Sequence, residues 1–282
     1  MIEAKLYGKK KLGQWIITAL VLAWFFVMVL FPLFGIIKET IEYGLKAFIS
    51  SLISPASLHA FWLTLLLTVV AVVLNTVLGV VMAIMFARHE FKGKLLLEAV
   101  LDLPFAVSPV VAGVMLIILF GPHGWIGNWF ESMNIKIIYA LPGMMLATIF
   151  VTIPFVAREI LPVLREFGRD QEEAASTLGA SGWQTFWRVT LPSIKWALAY
   201  GITLSIARSI GEFGAVLVVS ASIINKTQTA TLLIHDQFTD FNYAGAFSAA
   251  LVLAVISFII ITVIQFVYKR KQHAAAPDLH GL

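Results

Sequence analysis

The stretch HAFWLTLLLTVVAVVLNTVLGVVMAIMFA, residues 59–87, is an apolar run that contains no Asp, Glu, Lys or Arg. A helix of about 20 apolar residues crosses the hydrocarbon core of a bilayer, whereas the buried segments of soluble proteins are seldom that long. In lipid the backbone polar groups must pair within the segment, which a helix achieves. The run therefore predicts a transmembrane helix.

Five further apolar runs lie on either side of it, at residues 15–37, 103–121, 137–157, 196–220 and 244–268. Of the 282 residues, 60% are hydrophobic and 13% are charged, whereas soluble domains average roughly 45–50% and 25%. This composition excludes an ordinary soluble fold, and the low net charge excludes a disordered chain. We predict an all-α membrane protein with six transmembrane helices, forming one membrane domain over residues 1–282.

Lysine and arginine are concentrated in every second segment between these runs and at both ends of the chain. They are dense before the first run, between the second and third, between the fourth and fifth, and after the sixth, and sparse in the other loops. Segments rich in Lys and Arg stay in the cytoplasm. We therefore predict two cytoplasmic termini, with tails at 1–14 and 269–282, a membrane region at 15–268 and a cytoplasmic loop at about 166–194. The basic residues mark topology and do not indicate nucleic-acid binding.

That cytoplasmic loop predicts two short helices. Asp170 and Glu173 have the spacing of an N-cap and its partner, and Gly179 can take the left-handed conformation that ends a helix. Ser181 and Gln184 have the spacing of a second capping box. We expect the second helix to end near residue 192, where the chain turns back toward the membrane.

The same loop resembles the EAA motif of bacterial ABC-importer permeases, on Glu173-Ala174-Ala175, Gly179 and Val189-Thr190-Leu191-Pro192. The resemblance implies a coupling helix that docks on a separate ATP-hydrolysing subunit. The residues implied in docking are Glu173, Ala174, Ala175, Leu178 and Gly179. A plain helical hairpin joining two spans is the alternative. The sequence has no GxxxxGK[ST] phosphate loop. We therefore expect no catalytic site and no cofactor in this chain, with ATP and Mg bound by the partner ATPase.

Two other stretches, LPFAVSPVVAG at 103–113 and ARSIGEFGAV at 207–216, resemble the sulfate/thiosulfate permeases of the CysW type. The resemblance implies a MetI-like ABC importer permease in the bacterial inner membrane. It implies four kinds of partner: a second, CysT-like permease, two copies of the ATPase, an extracytoplasmic sulfate-binding protein, and membrane lipid. Molybdate and tungstate permeases share parts of both stretches, so they remain an alternative.

Charged residues inside a span are costly and therefore suggest function. Arg208 and Glu212 lie one helical turn apart in the fifth run, where they can neutralise each other. Arg208 either attracts a dianion along a pathway or locks the helices together with Glu212. The structural or gating role is favoured, because a buried ion pair satisfies itself.

Sulfate is strongly hydrated, so its pathway must supply hydrogen-bond donors or retain water. Four residues are candidates for the pathway or gate beside that charged pair: Ser108, Pro109, Ser205 and Ser209. Serine in a span also packs or bonds to its own helix. That alternative stays open for each of these residues.

The external loops are less informative. Residues 42–53 place their apolar side chains on one helical face, which predicts an interfacial helix. Residues 229–243 form a mixed loop that either meets the binding protein, caps an external gate or lies at the interface. The histidines are scattered, so no metal site is predicted. A stand-alone secondary anion transporter or channel, and a membrane enzyme, are the remote alternatives, since neither coupling groups nor a catalytic cluster are evident.

Overall fold

A computed structural model describes the backbone of residues 2–275 and the side chains of residues 14–266. The basic residues of the predicted tails therefore lie outside the described side chains. Within residues 2–275 the chain is helical and contains no strand. The α-helices are α1 Ile2–Phe25, α2 Phe31–Glu42, α3 Leu45–Ile53, α4 Pro55–Arg88, α5 Lys94–Ala106, α6 Pro109–Phe120, α7 Gly127–Ser132, α8 Leu141–Phe167, α9 Asp170–Thr177, α10 Gly182–Thr185, α11 Leu191–Ile210, α12 Gly214–Ser220, α13 Ala230–Thr239 and α14 Tyr243–Ala275.

Among the described residues, five helical stretches are long and apolar enough to cross a membrane: Gln14–Glu42, Pro55–Arg88, Leu141–Phe167, Gly182–Ile210 and Tyr243–Phe266. A π-helical turn, Phe26–Leu30, joins α1 to α2, and a second, Phe186–Thr190, joins α10 to α11. The helices α5 and α6 pass the same test together, but they are bent by 118°. The prediction of six spans is met when this bent pair counts as one crossing.

The predicted span at 103–121 contains a sharp bend. The bend falls at Ser108, which has φ −58° and ψ 137° and precedes the first residue of α6, Pro109. A proline ring pushes the preceding residue out of the helical region and removes one backbone donor. The chain therefore leaves the helix before Pro109 and starts a new one after it.

The predicted span at 196–220 also differs from the structure at both ends. The helix does not turn at Pro192, because that proline occupies the first turn of α11, where no backbone donor is needed. One continuous helix of 29 residues runs over Gly182–Ile210. It then stops, and α12 starts separately at Gly214. The span is therefore a long helix followed by a break and a short helix.

The centre of the bundle is α8, which packs against α4 and α11. A Cβ atom on Gly79 of α4 would lie 2.8 Å from the Cβ of Val156 in α8. A Cβ atom on Gly201 of α11 would lie 2.9 Å from the Cα of the same Val156. Both contacts are closer than a side chain tolerates. Glycines on both flanking helices thus let their backbones approach one residue of α8, as small residues do in membrane helix packing.

A buried amide also joins α4 to α8. The Nδ2 of Asn75 donates to Oγ1 of Thr152 at 2.7 Å and to the carbonyl of Ile149 at 3.2 Å. We expect Asn75→Leu to lower the free energy of unfolding by about 1 kcal/mol, as for other polar contacts between membrane helices. Thermal unfolding in detergent measures this, with Thr76→Val as the control, because Thr76 bonds to its own helix through Val72. Equal melting temperatures of the two variants would contradict this expectation.

The outer parts of the fold revise two loop predictions. The helix predicted within 42–53 forms as α3, set off from α2 by Gly44 at φ +84°. The mixed loop predicted at 229–243 was wrong, because most of it is α13. Its first backbone N–H, on Ala230, donates to Oγ1 of Thr64 in α4 at 2.8 Å. This bond draws the helix inward against α4, and α13 also packs on α14.

Candidate functional site

The charged pair lies at the break that ends α11. Glu212 stands between α11 and α12, with 2% of its side chain exposed, and its Oε2 lies 2.7 Å from Nη1 of Arg208. Its Oε1 accepts the backbone N–H of Ala215 at 3.0 Å. The carboxylate thus neutralises the arginine and satisfies a free donor of α12 at once. The side chain of Arg208 is 30% exposed, in contrast to that of Glu212.

The helix α13 contacts the same break. The hydroxyl of Thr231 donates to the backbone carbonyl of Glu212 at 2.7 Å. The ring of Phe213 lies 5.2 Å from that of His235, centroid to centroid. The helix α13 therefore contacts the backbone that carries Glu212 and the residue after it directly.

The bend before α6 packs against this break. A Cβ atom on Gly214 would lie 3.1 Å from the Cβ of Pro109 and 3.3 Å from the backbone nitrogen of Val110. Glycine is what allows this approach. Ser108 is exposed at the N-cap position of α6, and its side chain makes no capping hydrogen bond. The two stretches that carry the family resemblance, 103–113 and 207–216, thus meet in space, which their separation in sequence does not reveal.

Ser205 and Ser209 lie on the last turns of α11 beside Arg208, and both are buried. Neither hydroxyl has a hydrogen-bond partner among the described residues. Other hydroxyls of this helix do bond to their own backbone, as Thr203 does to the carbonyl of Ala199 at 2.9 Å. The two serines therefore keep unused donors next to the charged pair.

The other predicted site is α9 and the turn that follows it. Asp170 is the first helical residue and not the cap, since Arg169 occupies the N-cap position without a side-chain bond. The cap prediction at Asp170 was therefore wrong. Asp170, Glu172 and Glu173 all fall in the first turn, where negative charge favours the helix dipole.

The turn itself follows the prediction. Gly179 has φ +85°. The Oγ of Ser181 accepts the N–H of Gln184 at 3.3 Å, and the Oε1 of Gln184 accepts the N–H of Ser181 at 2.9 Å. This capping box begins the 29-residue helix, so the turn after α9 leads into the helix that carries Arg208 and ends at Ile210. At about 1.5 Å per residue that helix is about 43 Å long.

The two faces of α9 differ. Glu173, Ala174 and Leu178 are exposed, Leu178 at 88%. Ala175 and Glu172 turn toward the bundle, where Glu172 pairs with Arg88. Ala175, which the resemblance also implied in docking, is half-buried and does not lie on the exposed face. The sequence analysis missed Glu172 and Arg88, because neither belongs to the motif. Their pairing across the fold gives no local signal.

Comparison with known proteins decides the family. Residues 75–273 match the family model described as binding-protein-dependent transport system inner membrane component. The chain belongs to this family. It is 45% identical over 263 residues to the sulfate transport system permease protein CysW of Synechocystis, covering 93% of this chain and 95% of that protein. It is 37% identical to the CysT permease of Escherichia coli, covering 86% and 88%.

The fold agrees with that of a solved relative. A bacterial alginate ABC transporter, crystallised with its pentasaccharide-bound periplasmic protein, superposes with a TM-score of 0.78 at 19% identity, over 93% of this chain and 96% of that one. This inner membrane component therefore has the MetI-like ABC permease fold. Its two candidate sites occupy opposite ends of one helix, Gly182–Ile210.

Proposed function

We propose that this chain is a permease subunit of an ABC importer for sulfate, and that thiosulfate uses the same route. The observation that carries the proposal is the 45% identity with a sulfate permease across 95% of that protein's length. The two stretches that resemble sulfate permeases, 103–113 and 207–216, meet at the helix break. The similarity therefore includes the region where an anion would pass.

Energy would come from a separate ATPase that docks on the outward face of α9. Support comes from the exposed Leu178, from the small exposed side chain of Ala174, and from the turn at Gly179. A short helix with such a surface can seat in a groove of a partner protein, and displacement of α9 reaches the next helix through its capping box. This arrangement requires α9 and both chain termini to lie in the cytoplasm, as the distribution of Lys and Arg predicts.

Further partners follow from the comparisons. The chain is similar to both CysW and CysT permeases, which supports pairing with a second, related permease. The family description names transport that depends on a binding protein. We place that protein on the side of α13, opposite α9, where it would deliver sulfate above the helix break.

At the break, we assign Arg208 and Glu212 to a gate. Glu212 forms an ion pair with Arg208 and accepts the N–H of Ala215, which supports a locked state in which the charges cancel. Opening of the lock would free guanidinium donors beside the unused hydroxyls of Ser205 and Ser209. A dianion that has lost part of its water needs such donors. Ser108 and Pro109 would form the facing wall.

ATPase stimulation of the reconstituted complex tests this function. We expect binding protein loaded with sulfate to raise ATP hydrolysis about tenfold over empty binding protein, within the usual range of coupling between sites. Thiosulfate should act similarly, and molybdate should not. Activity that is independent of sulfate, or stimulation by molybdate alone, would overturn the substrate. Failure of the chain to associate with an ABC ATPase would overturn the function.

A further inference from the structure

A guanidinium at the end of α4 ties three helices together. Nη1 of Arg88 donates to the backbone carbonyl of Leu164, in the last turn of α8, at 3.0 Å. Its Nη2 donates to Oε1 of Glu172 in α9 at 3.1 Å, and its Nε lies 2.9 Å from the other carboxylate oxygen. The Nη2 contact is a charge-assisted hydrogen bond, and the Nε contact adds close opposite charge without hydrogen-bond geometry.

The same carboxylate extends the contact to a fourth element. Oε1 of Glu172 also accepts the hydroxyl of Thr190 at 2.7 Å. Thr190 is buried at the end of the π-helical turn that leads into α11. Glu172 thus connects α9 to the start of α11, 20 residues before the end of the helix at Ile210.

This cluster is more enclosed than the other ion pairs at that end of the bundle. The side chains of Arg88 and Glu172 are 10% and 19% exposed, whereas Arg165, which pairs with Glu98 of α5, is 50% exposed. A desolvated charge pair holds its geometry firmly, because removing either partner leaves an uncompensated charge. An exposed pair is screened by water and contributes little.

Adjacent acids of α9 therefore have different surroundings. Glu173 is exposed, and Glu172 is turned into the bundle. The hydroxyls of Ser176 and Thr177 bond to the backbone of α9 itself. Glu172 is consequently the side chain through which the outward docking face is anchored to α4 and α11.

We propose that Glu172, clamped by Arg88 and Thr190, is a positioning residue that transmits displacement of α9 to α4 and to the helix ending at the Arg208–Glu212 gate. The inference rests on the proposed function. Rigid elements joined by a buried pair move together, whereas a loose joint lets α9 move without the bundle. Loss of the clamp should therefore separate ATP hydrolysis from transport and leave docking intact.

The test is the amount of labelled sulfate taken up per ATP hydrolysed, measured in proteoliposomes that contain the complete complex. Glu172→Gln keeps the shape and one acceptor for Thr190 but removes the charge that pairs with Arg88. We expect the ATPase to co-purify normally and the uptake per ATP to fall about tenfold. The matched control is Glu98→Gln, which breaks an arginine pair between α8 and α5 and leaves α9 untouched.

A second pair of variants keeps the test decisive if Glu172→Gln fails to insert. Thr190→Ser retains the hydroxyl and should keep the wild-type ratio, whereas Thr190→Val should lower it. A residue that only stabilised the fold would reduce uptake and hydrolysis together, leaving the ratio unchanged. An unchanged ratio in both Glu172→Gln and Thr190→Val overturns this inference. Absence of uptake or of ATPase association in the wild-type complex overturns the proposed function instead.

Discussion

Replacement of Arg208 by alanine should reduce sulfate uptake about 100-fold while the chain still inserts and binds its ATPase. The substitution leaves Glu212, with 2% of its side chain exposed, as a buried carboxylate without its arginine. An uncompensated charge of this kind costs about 3 kcal/mol, which is a factor of about 100 in the population of the state shown by the structure. Uptake into proteoliposomes and ATPase co-purification measure the two expectations separately.

A double variant distinguishes the two roles of this pair. Arg208→Met with Glu212→Gln removes both charges and keeps an acceptor for the N–H of Ala215. If the pair is a gate, sulfate uptake by the double variant should be about tenfold higher than that of Arg208→Ala, because no buried charge remains unpaired. A double variant that folds but stays as inactive as the single one would show that Arg208 contacts the anion itself. Wild-type uptake by Arg208→Ala would remove the residue from the mechanism.

The second large effect is expected at Gly179. Its φ of +85° lies in the left-handed region, and a Cβ atom there would meet nothing within 4 Å. The obstacle to substitution is therefore backbone conformation and not space. A β-branched residue in this region costs about 1–2 kcal/mol, whereas asparagine tolerates it. We expect Gly179→Val to reduce ATPase co-purification about tenfold and Gly179→Asn to retain most of it.

A companion variant separates turn geometry from the docking surface. Leu178→Asp places a charge on a side chain that is 88% exposed, so insertion and thermal unfolding should not change. ATPase co-purification should still fall, because the apolar contact becomes a desolvated charge. If ATPase recovery is normal in both Gly179→Val and Leu178→Asp, α9 is not the coupling helix.

Local sequence patterns predicted much of the fold. Uninterrupted apolar runs predicted the spans, because a bilayer demands length and hydrophobicity that the composition shows directly. The second capping box and the turn at Gly179 were predictable for a similar reason, since caps depend on residues a few positions apart. The first cap was assigned to the wrong residue, because the spacing between Asp170 and Glu173 favoured the acid. The helix in fact begins at Asp170, so the cap position belongs to Arg169.

The breaks were harder to predict. Hydropathy treats 103–121 and 196–220 as continuous runs, since bends at Ser108 and at Gly211–Phe213 do not change the apolar content. Pro192 suggested a turn but sits in a first helical turn, where its missing donor has no cost. Interrupted helices survive in the membrane because neighbouring elements satisfy the freed groups, as Glu212 does for Ala215.

The order of residues alone predicted the membrane class, the spans and the glycine turn after α9, since each depends on composition or spacing within one segment. Tertiary structure alone revealed that Pro109 packs on Gly214, that Thr231 holds the carbonyl of Glu212, and that Arg88 clamps Glu172. These contacts join residues from different helices, and no local pattern encodes them. They form because lipid cannot solvate helix breaks or charged side chains, so packing brings these groups together.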